Sequence, residues 1–252
     1  MPSDAKNRAI SGRARHTAKK AVTLLNVFTF FHHSGMHNLT RHSAIDLAKI
    51  RQKKVRKFIH NFGLHSTSGF TRMQSAGCSA ADANQYHKHH KKFVIRQRPD
   101  LVWDAYMKIH PRDAWKGEMV SFGVQYCTRN NKVHYIHDEC AGIEEGQIII
   151  LNLRLLWGAL NIAVAHQIAE VNHDEMTFKL CYMVGGASTG SQWISLKATD
   201  DGYTEVHHDT LYKSGSNFRD TKLYPTLHTK AISEFHESVK RKAENYVAAI
   251  AV

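Results

Sequence analysis

Apolar and polar positions follow two different rhythms along the C-terminal half of the chain. Phe178-Lys179-Leu180-Cys181-Tyr182-Met183-Val184, Gln192-Trp193-Ile194-Ser195-Leu196 and Thr204 to Tyr212 alternate with a period of two, and glycine-containing turns divide them. Each reads as a strand with one apolar face. After Tyr224-Pro225 the spacing changes to three and four, so that His228, Ile232, Phe235, Val239 and Tyr246 form one stripe of a long helix.

Further upstream, Lys91–Arg96 reads as a short strand, and Leu101, Val102, Ala105, Tyr106 and Ile109 recur at helical spacing. Pro99 suits the first turn of that helix, Pro111 ends it, and Asp113-Ala114-Trp115 begins a second short one. Strands are expected at Val120–Cys127 and Val133–Cys140 around an Arg129–Lys132 hairpin turn, at Gly146–Leu156 and at Asn161–Val171. The pattern predicts an α+β domain over residues 86–252, a curved antiparallel sheet of about seven strands closing on a C-terminal helix.

Residues 1–85 lack this order and read as a partly helical, partly disordered N-terminal extension. Lys6–Lys20 is basic and poor in apolar residues, and Ala21–Phe31 is a short apolar run behind it. That order has the shape of a signal peptide, but His32-His33-Ser34-Gly35 makes a poor cleavage site. Ser43–Phe62 reads as a helix capped by Ser43. Its basic run, Arg51 to Lys57, is either a solvated face or a contact for phosphate or anionic lipid. Gly63–Asn84 is rich in Ser, Gly and Ala and reads as a linker with few contacts to the domain. His87-Lys88-His89-His90 reads as a polar lead-in to the first strand rather than a metal tract.

Charge sharpens this division. Residues 1–92 hold 17 of the 34 Lys and Arg but 3 of the 22 Asp and Glu, a net +14 against −2 for the remainder. A basic arm on a near-neutral domain suits nucleic acid or an anionic membrane surface. Cys78, Cys127, Cys140 and Cys181 show no Cys-x-x-Cys spacing, so zinc ribbons and thioredoxin-like motifs are excluded and a reducing compartment is the simpler expectation. No apolar run approaches the roughly 20 residues of a bilayer span. A cytoplasmic protein is expected, with membrane association open. No metal site or cofactor is expected.

Strand parity assigns the inward faces. Glu205, Asp209 and Lys213 belong in water, which turns Thr204, Val206, His208, Thr210 and Tyr212 inward. Lys179 places Phe178, Leu180, Tyr182 and Val184 inside, and Lys197 does the same for Gln192, Ile194 and Leu196. His166 shares a face with Val164 and Ile168. The expected interior is apolar with polar points at His166, Tyr182, Gln192, His208, Tyr212 and His228, enough to orient a ligand. Arg219, before the helix, either clamps an anionic group or pairs with Asp220 or the helix end. Trp115 either lines the mouth or fills the core.

The element order, with Thr204-x-Val206-x-His208-x-Thr210-x-Tyr212-x-Ser214 followed by Arg219-Asp220, Leu223-Tyr224-Pro225 and His228, resembles the helix-grip fold of the START-like superfamily. That group includes birch-pollen-allergen-type proteins, START lipid-transfer domains and polyketide cyclases. The resemblance covers about two thirds of the chain and implies a hydrophobic small molecule or lipid held between sheet and terminal helix. Three functions stay open: a non-catalytic binder or carrier; a cyclase, dehydratase or isomerase using His208 or His228 as general acid-base; and nucleic-acid or anionic-membrane binding through residues 1–85.

Overall fold

The computed structural model describes residues 43–140 and 142–250, with the backbone alone at 80–82 and 246–250. The expectations for Lys6–Lys20 and Ala21–Phe31, and the side chain of Tyr246, lie outside the described residues. The described strands are β1 (His87–Ile95), β2 (Val120–Cys127), β3 (Lys132–His134), β4 (Ile148–Leu155), β5 (Leu160–Asn172), β6 (Thr177–Tyr182), β7 (Thr189–Ala198) and β8 (Thr204–Lys213). They form one antiparallel sheet in the order β1-β8-β7-β6-β5-β4-β2-β3. Among the described residues five α-helices accompany it: α1 (Lys53–Asn61), α2 (Thr67–Thr71), α3 (Pro99–Lys108), α4 (Pro111–Ala114) and α5 (Tyr224–Ile250). This is the helix-grip arrangement that the element order implied, with eight strands where about seven were expected. No helix among the described residues is long and apolar enough to cross a membrane.

Helices α3, α4 and α5 cover one face of the sheet. There Val102, Tyr106, Phe122, Ile168, Phe178, Ile194, Val206, Phe235 and Val239 join in one buried cluster. Glu234 of α5 pins the helix to the sheet, its carboxylate accepting from the backbone N–H groups of Met119 at 2.8 Å and Val120 at 2.9 Å. The close approach needs Gly117, where a Cβ would lie 1.9 Å from a Glu234 carboxylate oxygen.

The opposite face is also covered, and here the sequence reading is corrected. Gly63–Asn84 is not a loosely held linker. Leu64 and Phe70 are buried with Val55, Phe58 and Ile59 of α1 against Val124, Tyr126, Ile148, Ile150 and Met183 of the sheet. Ser75 bridges Met183, and Ala76 donates to Tyr182 O at 2.6 Å and accepts from Gly190 N at 2.7 Å. The backbone here is ordered by sheet pairing, which small residues permit at close range.

Ser43–Phe62 is likewise broken into two pieces. A 3₁₀ turn at Leu47–Lys49 is capped by Asp46, whose carboxylate accepts from Ala48 N at 3.0 Å, and α1 starts only at Lys53. Ile50 lies between them in extended conformation, fully buried, and the Gln52 amide donates to Phe122 O at 2.7 Å. Tertiary contacts at Ile50 and Gln52 override the local helical spacing. Lys53, Lys54 and Lys57 remain exposed, the solvated face of that helix.

Double coverage explains why Ile148-Ile149-Ile150-Leu151 shows no alternation. Ile149 and Leu151 face the helices, Ile148 and Ile150 face α1 and Phe70, and a strand buried on both sides reads as a continuous apolar run. In β2 the register shifts between Phe122 and Val124, so Val120 and Phe122 pack under the helices while Val124 and Tyr126 pack on the other side.

Three boundaries also differ from expectation. β1 begins at His87, so the histidine tract lies inside the strand and pairs with β8. β3 stops at His134, because Asp138 draws the backbone into a turn by accepting from Tyr135 N at 3.1 Å. β6 stops at Tyr182, which leaves Val184 exposed instead of inward.

Cys78 and Cys181 form a disulfide across a Cα–Cα distance of 5.2 Å. It ties the covering segment to β6. The reducing-compartment expectation assumed four unpaired thiols, and that premise does not hold. Cys127 and Cys140 are free.

Candidate functional site

A cavity of about 330 Å³ lies between the sheet and the first turns of α5. Its size falls at the lower end of the roughly 300–1,000 Å³ span of small-molecule sites. Strands β4 and β5 supply an aliphatic wall that includes Leu151, Leu153, Ile162 and Val164, and α5 supplies Leu227, Ala231 and Ile232. Trp115 closes one side, its ring stacked on Phe235 at 4.3 Å and 11°. The loops that carry Leu156 and Leu160, Ala187, and Arg219 and Leu223 reach the same space.

Polar groups gather on one side of the cavity. Gln192 of β7 stands at their junction. Its Nε2 lies 3.1 Å from His166 Nε2, and its Oε1 lies 2.8 Å from His208 Nε2 and 3.3 Å from His228 Nε2. Behind this wall, His208 Nδ1 meets His236 Nε2 at 2.7 Å, and His236 Nδ1 meets the Tyr106 hydroxyl. On the other branch, His228 Nδ1 meets His89 Nδ1 at 3.3 Å, and His89 Nε2 meets the Thr229 hydroxyl at 2.9 Å. The hydroxyls of Tyr182 and Tyr224 bond each other.

Burial sets the charge of this cluster. It lowers His166 to about 4. Burial, then the neighbouring His228, lowers His236 to about 3. His208 and His228 are held well below the ordinary imidazole value by burial first and by adjacent imidazoles second. Burial and then Lys91 lower His89. Burial raises Tyr182 and Tyr224, so both stay protonated. This cluster of histidines and tyrosines is therefore uncharged near neutral pH, while the Arg219 guanidinium is the charged group of the cavity lining.

Neutral rings constrain the protons, because each carries one donor and one acceptor nitrogen. Gln192 Oε1 accepts from His208, and His208 in turn accepts from His236, which accepts from Tyr106. Gln192 Nε2 donates to a bare His166 Nε2. The His228 branch has two settings. When Thr229 donates to Pro225 O (2.7 Å), His89 donates to Thr229 and accepts from His228, and a bare His228 Nε2 faces Gln192 Oε1. When Thr229 turns its proton to His89, both rings take the other tautomer, His228 Nε2 donates to Gln192 Oε1, and Pro225 O loses the Thr229 proton. A hydroxyl rotation coupled to tautomer shifts of His89 and His228 thus decides whether His228 presents an acceptor or a donor at the wall.

Strand parity and helical spacing turn His166, Tyr182, Gln192 and His228 inward and leave Trp115 and Arg219 with alternatives; all six line the cavity. Two of the sequence candidates do not. His208 faces the expected side of β8 but is 2% exposed and sealed behind Gln192, between Gln192 and His236. Tyr212 is buried against Tyr224, with stacked rings 3.6 Å apart, and its hydroxyl donates to Asp220 O at 2.7 Å. Arg219 does not pair with Asp220. Its Nε donates to Ser214 Oγ at 2.8 Å and its Nη2 to Ala187 O, while Asp220 accepts from Ser214 N at 2.9 Å.

Sequence reasoning missed His89, His236 and the ring of Tyr224. His236 was legible, since it stands four residues past Ile232 and eight past His228 on the buried stripe. His89 was hidden by starting β1 at Lys91, four residues too late. Among the described residues, no three His, Cys, Asp or Glu side chains are grouped to hold a metal ion.

No family model matches the chain, and no curated protein matches it. Among solved structures, a point mutant of norcoclaurine synthase from Thalictrum flavum, in complex with a transition-state analogue, is similar at 13% identity. That match covers 64% of this chain and 95% of that one, with a TM-score of 0.48. Major latex-like protein 151 from Panax ginseng is similar at 10% identity over 62% of this chain and 95% of that one, with a TM-score of 0.44. KanY is similar at 15% identity over 63% and 98%, with a TM-score of 0.45. Likeness at this level carries no argument about function; the fold rests on this chain's own strand order and helix placement.

Proposed function

We propose that the protein binds or carries an uncharged, mostly apolar small molecule or lipid, seated with one hydroxyl or carbonyl group toward Gln192, His228 and the Tyr182–Tyr224 pair. The observation that carries this reading is a cavity of about 330 Å³ with aliphatic walls and a neutral cluster of polar groups at Gln192. Apolar walls supply affinity, and a few fixed polar groups supply orientation. A charged headgroup seated against those imidazoles would meet no counter-ion among them, at a desolvation cost of several kcal/mol, and the Arg219 guanidinium of the same cavity is held by Ser214 Oγ and Ala187 O. A hydroxyl fits either proton setting of His228, and a carbonyl fits the one in which Nε2 donates.

Native mass spectrometry of protein purified from cells, followed by lipid extraction, tests this. A bound mass that is released by organic solvent and lost in Leu153→Trp is the expected result. A crystal structure in which side chains fill the space solidly would end the proposal.

A second reading, acid-base catalysis of the cyclase, dehydratase or isomerase type, draws support from one feature: His228 on the wall backed by His89. His208, sealed behind Gln192, lends it none. Turnover of a carbonyl substrate that His228→Gln abolishes while leaving binding intact would favour this reading over simple carriage.

A further inference from the structure

We infer that the rim of the cavity is a docking face for a lipid bilayer carrying anionic headgroups. Apolar side chains of the sheet and helices are buried nearly everywhere, yet several of the largest exposed ones crowd one place. Leu156, Trp157 and Leu160 in the β4–β5 connection, and Phe218 and Leu223 ahead of α5, are all exposed, Trp157 completely so at 102%. Leu156, Leu160 and Leu223 also line the cavity, so the apolar rim is continuous with the apolar interior. The β4–β5 turn holds this arrangement with three successive left-handed residues, Leu156 at φ 50°, Trp157 at 56° and Gly158 at 91°. The first two are residues that seldom adopt that conformation. The strained turn leaves the Trp157 ring in solvent and not over the opening.

Charge selects the partner. Segments 154–160, 184–190 and 213–223 around the mouth carry Arg154, Lys213, Arg219 and Lys222, and their single acid, Asp220, is buried. A second copy of the chain would bring the same cations against these. An anionic leaflet complements them, at a gain of the usual size for basic residues near such a surface. Tryptophan and leucine beside cations are the residue types that settle at a bilayer interface. A bilayer would also allow a poorly soluble molecule to enter the cavity without crossing water. The docking face itself does not depend on that use and stands if the cavity proves to hold nothing.

The test uses the full chain and vesicles of phosphatidylcholine with about 30% phosphatidylserine, with and without brominated acyl chains. Co-sedimentation is expected, with bromine quenching of tryptophan emission that disappears in Trp157→Phe while binding persists. The double variant Trp157→Ser/Phe218→Ser should reduce binding about tenfold or more. Both positions are exposed, so unchanged near-ultraviolet circular dichroism will show the fold intact. Absence of vesicle binding, or equal binding by the double serine variant, overturns the proposal; equal binding assigns adhesion to the basic arm. A wild-type dimer that the double variant dissolves overturns it in favour of a second copy. So does shielding of Trp157 from iodide in vesicle-free monomer, since a segment of the chain itself would then cover the rim.

Discussion

The two faces of the sheet are built from the same strands and packed to opposite ends. On one side Ile148 and Ile150 meet Val55, Phe58, Ile59 and Phe70 in a continuous buried cluster. On the other, one residue along, Leu151 borders a cavity of about 330 Å³. The covering segment 44–78 follows the sheet through short turns and a disulfide, whereas α5 crosses as one continuous helix whose first turns border the cavity. A rigid helix over a sheet leaves a gap that only large side chains fill, and Ala231, Leu227 and the small residues at 186–188 do not fill it. The solid face supplies stability; the open face is where a ligand can be held.

The largest expected effect sets the two faces against each other. Ile150→Ala should cost about 2–5 kcal/mol, the usual range for truncation in a closed core. Leu151→Ala should cost clearly less, because its removal enlarges a space that already exists, and should change ligand affinity instead. Urea denaturation of both variants checks this, and equal losses would erase the distinction between the faces.

The disulfide sharpens the same contrast. Cys78→Ser should destabilise by roughly 2–4 kcal/mol, given the 103-residue separation of the bonded cysteines. Faster amide exchange should appear at Ala76, Val184 and Gly190, the amides paired to that segment, and not in α5. Loss of protection in α5 first would mean that the two faces do not open independently.

Acid should attack the open face. A histidine whose folded value is lowered binds fewer protons than in the unfolded chain, so its contribution is complete above about pH 6.5 and is lost as pH falls. For His166, lowered to about 4, the loss across that interval is roughly 3 kcal/mol. His236, lowered to about 3, continues the loss further down. Denaturation midpoints from pH 8 to 4 should be level at first and then drop, and His166→Phe should flatten the drop. A flat profile in the wild type would contradict the neutral, buried network.

The smallest effect separates wall from second layer. His208→Ala leaves His236 Nε2 without its acceptor and Gln192 Oε1 short of one donor, a stability loss of about 1–3 kcal/mol. Ligand affinity should change less than in His228→Ala, which alters the wall itself. If His208→Ala has the greater effect on affinity at unchanged stability, the assignment of the two histidines is reversed.

Alternation in β6, β7 and β8 and the three-four stripe of α5 were enough to determine strand, helix and inward face. Phe178, Leu180, Tyr182, Ile194, Val206, Ile232 and Phe235 all lie where their parity put them. Local period is a property of neighbouring residues, so a single chain displays it. Pairing partners at long range are not. The helix expected across Ser43–Phe62 was interrupted by contacts of Ile50 and Gln52 with strands some seventy or more residues away, and the apparent linker at Gly63–Asn84 was recruited by β6 and by Cys181. Parity could say that His208 faces the helix side, but not that Gln192 would stand between it and the cavity. It could not bring His89 and His228 together either, 139 residues apart in sequence. Which histidine reaches a ligand depends on how far α5 stands from the sheet at each turn, and only the folded chain decides that distance.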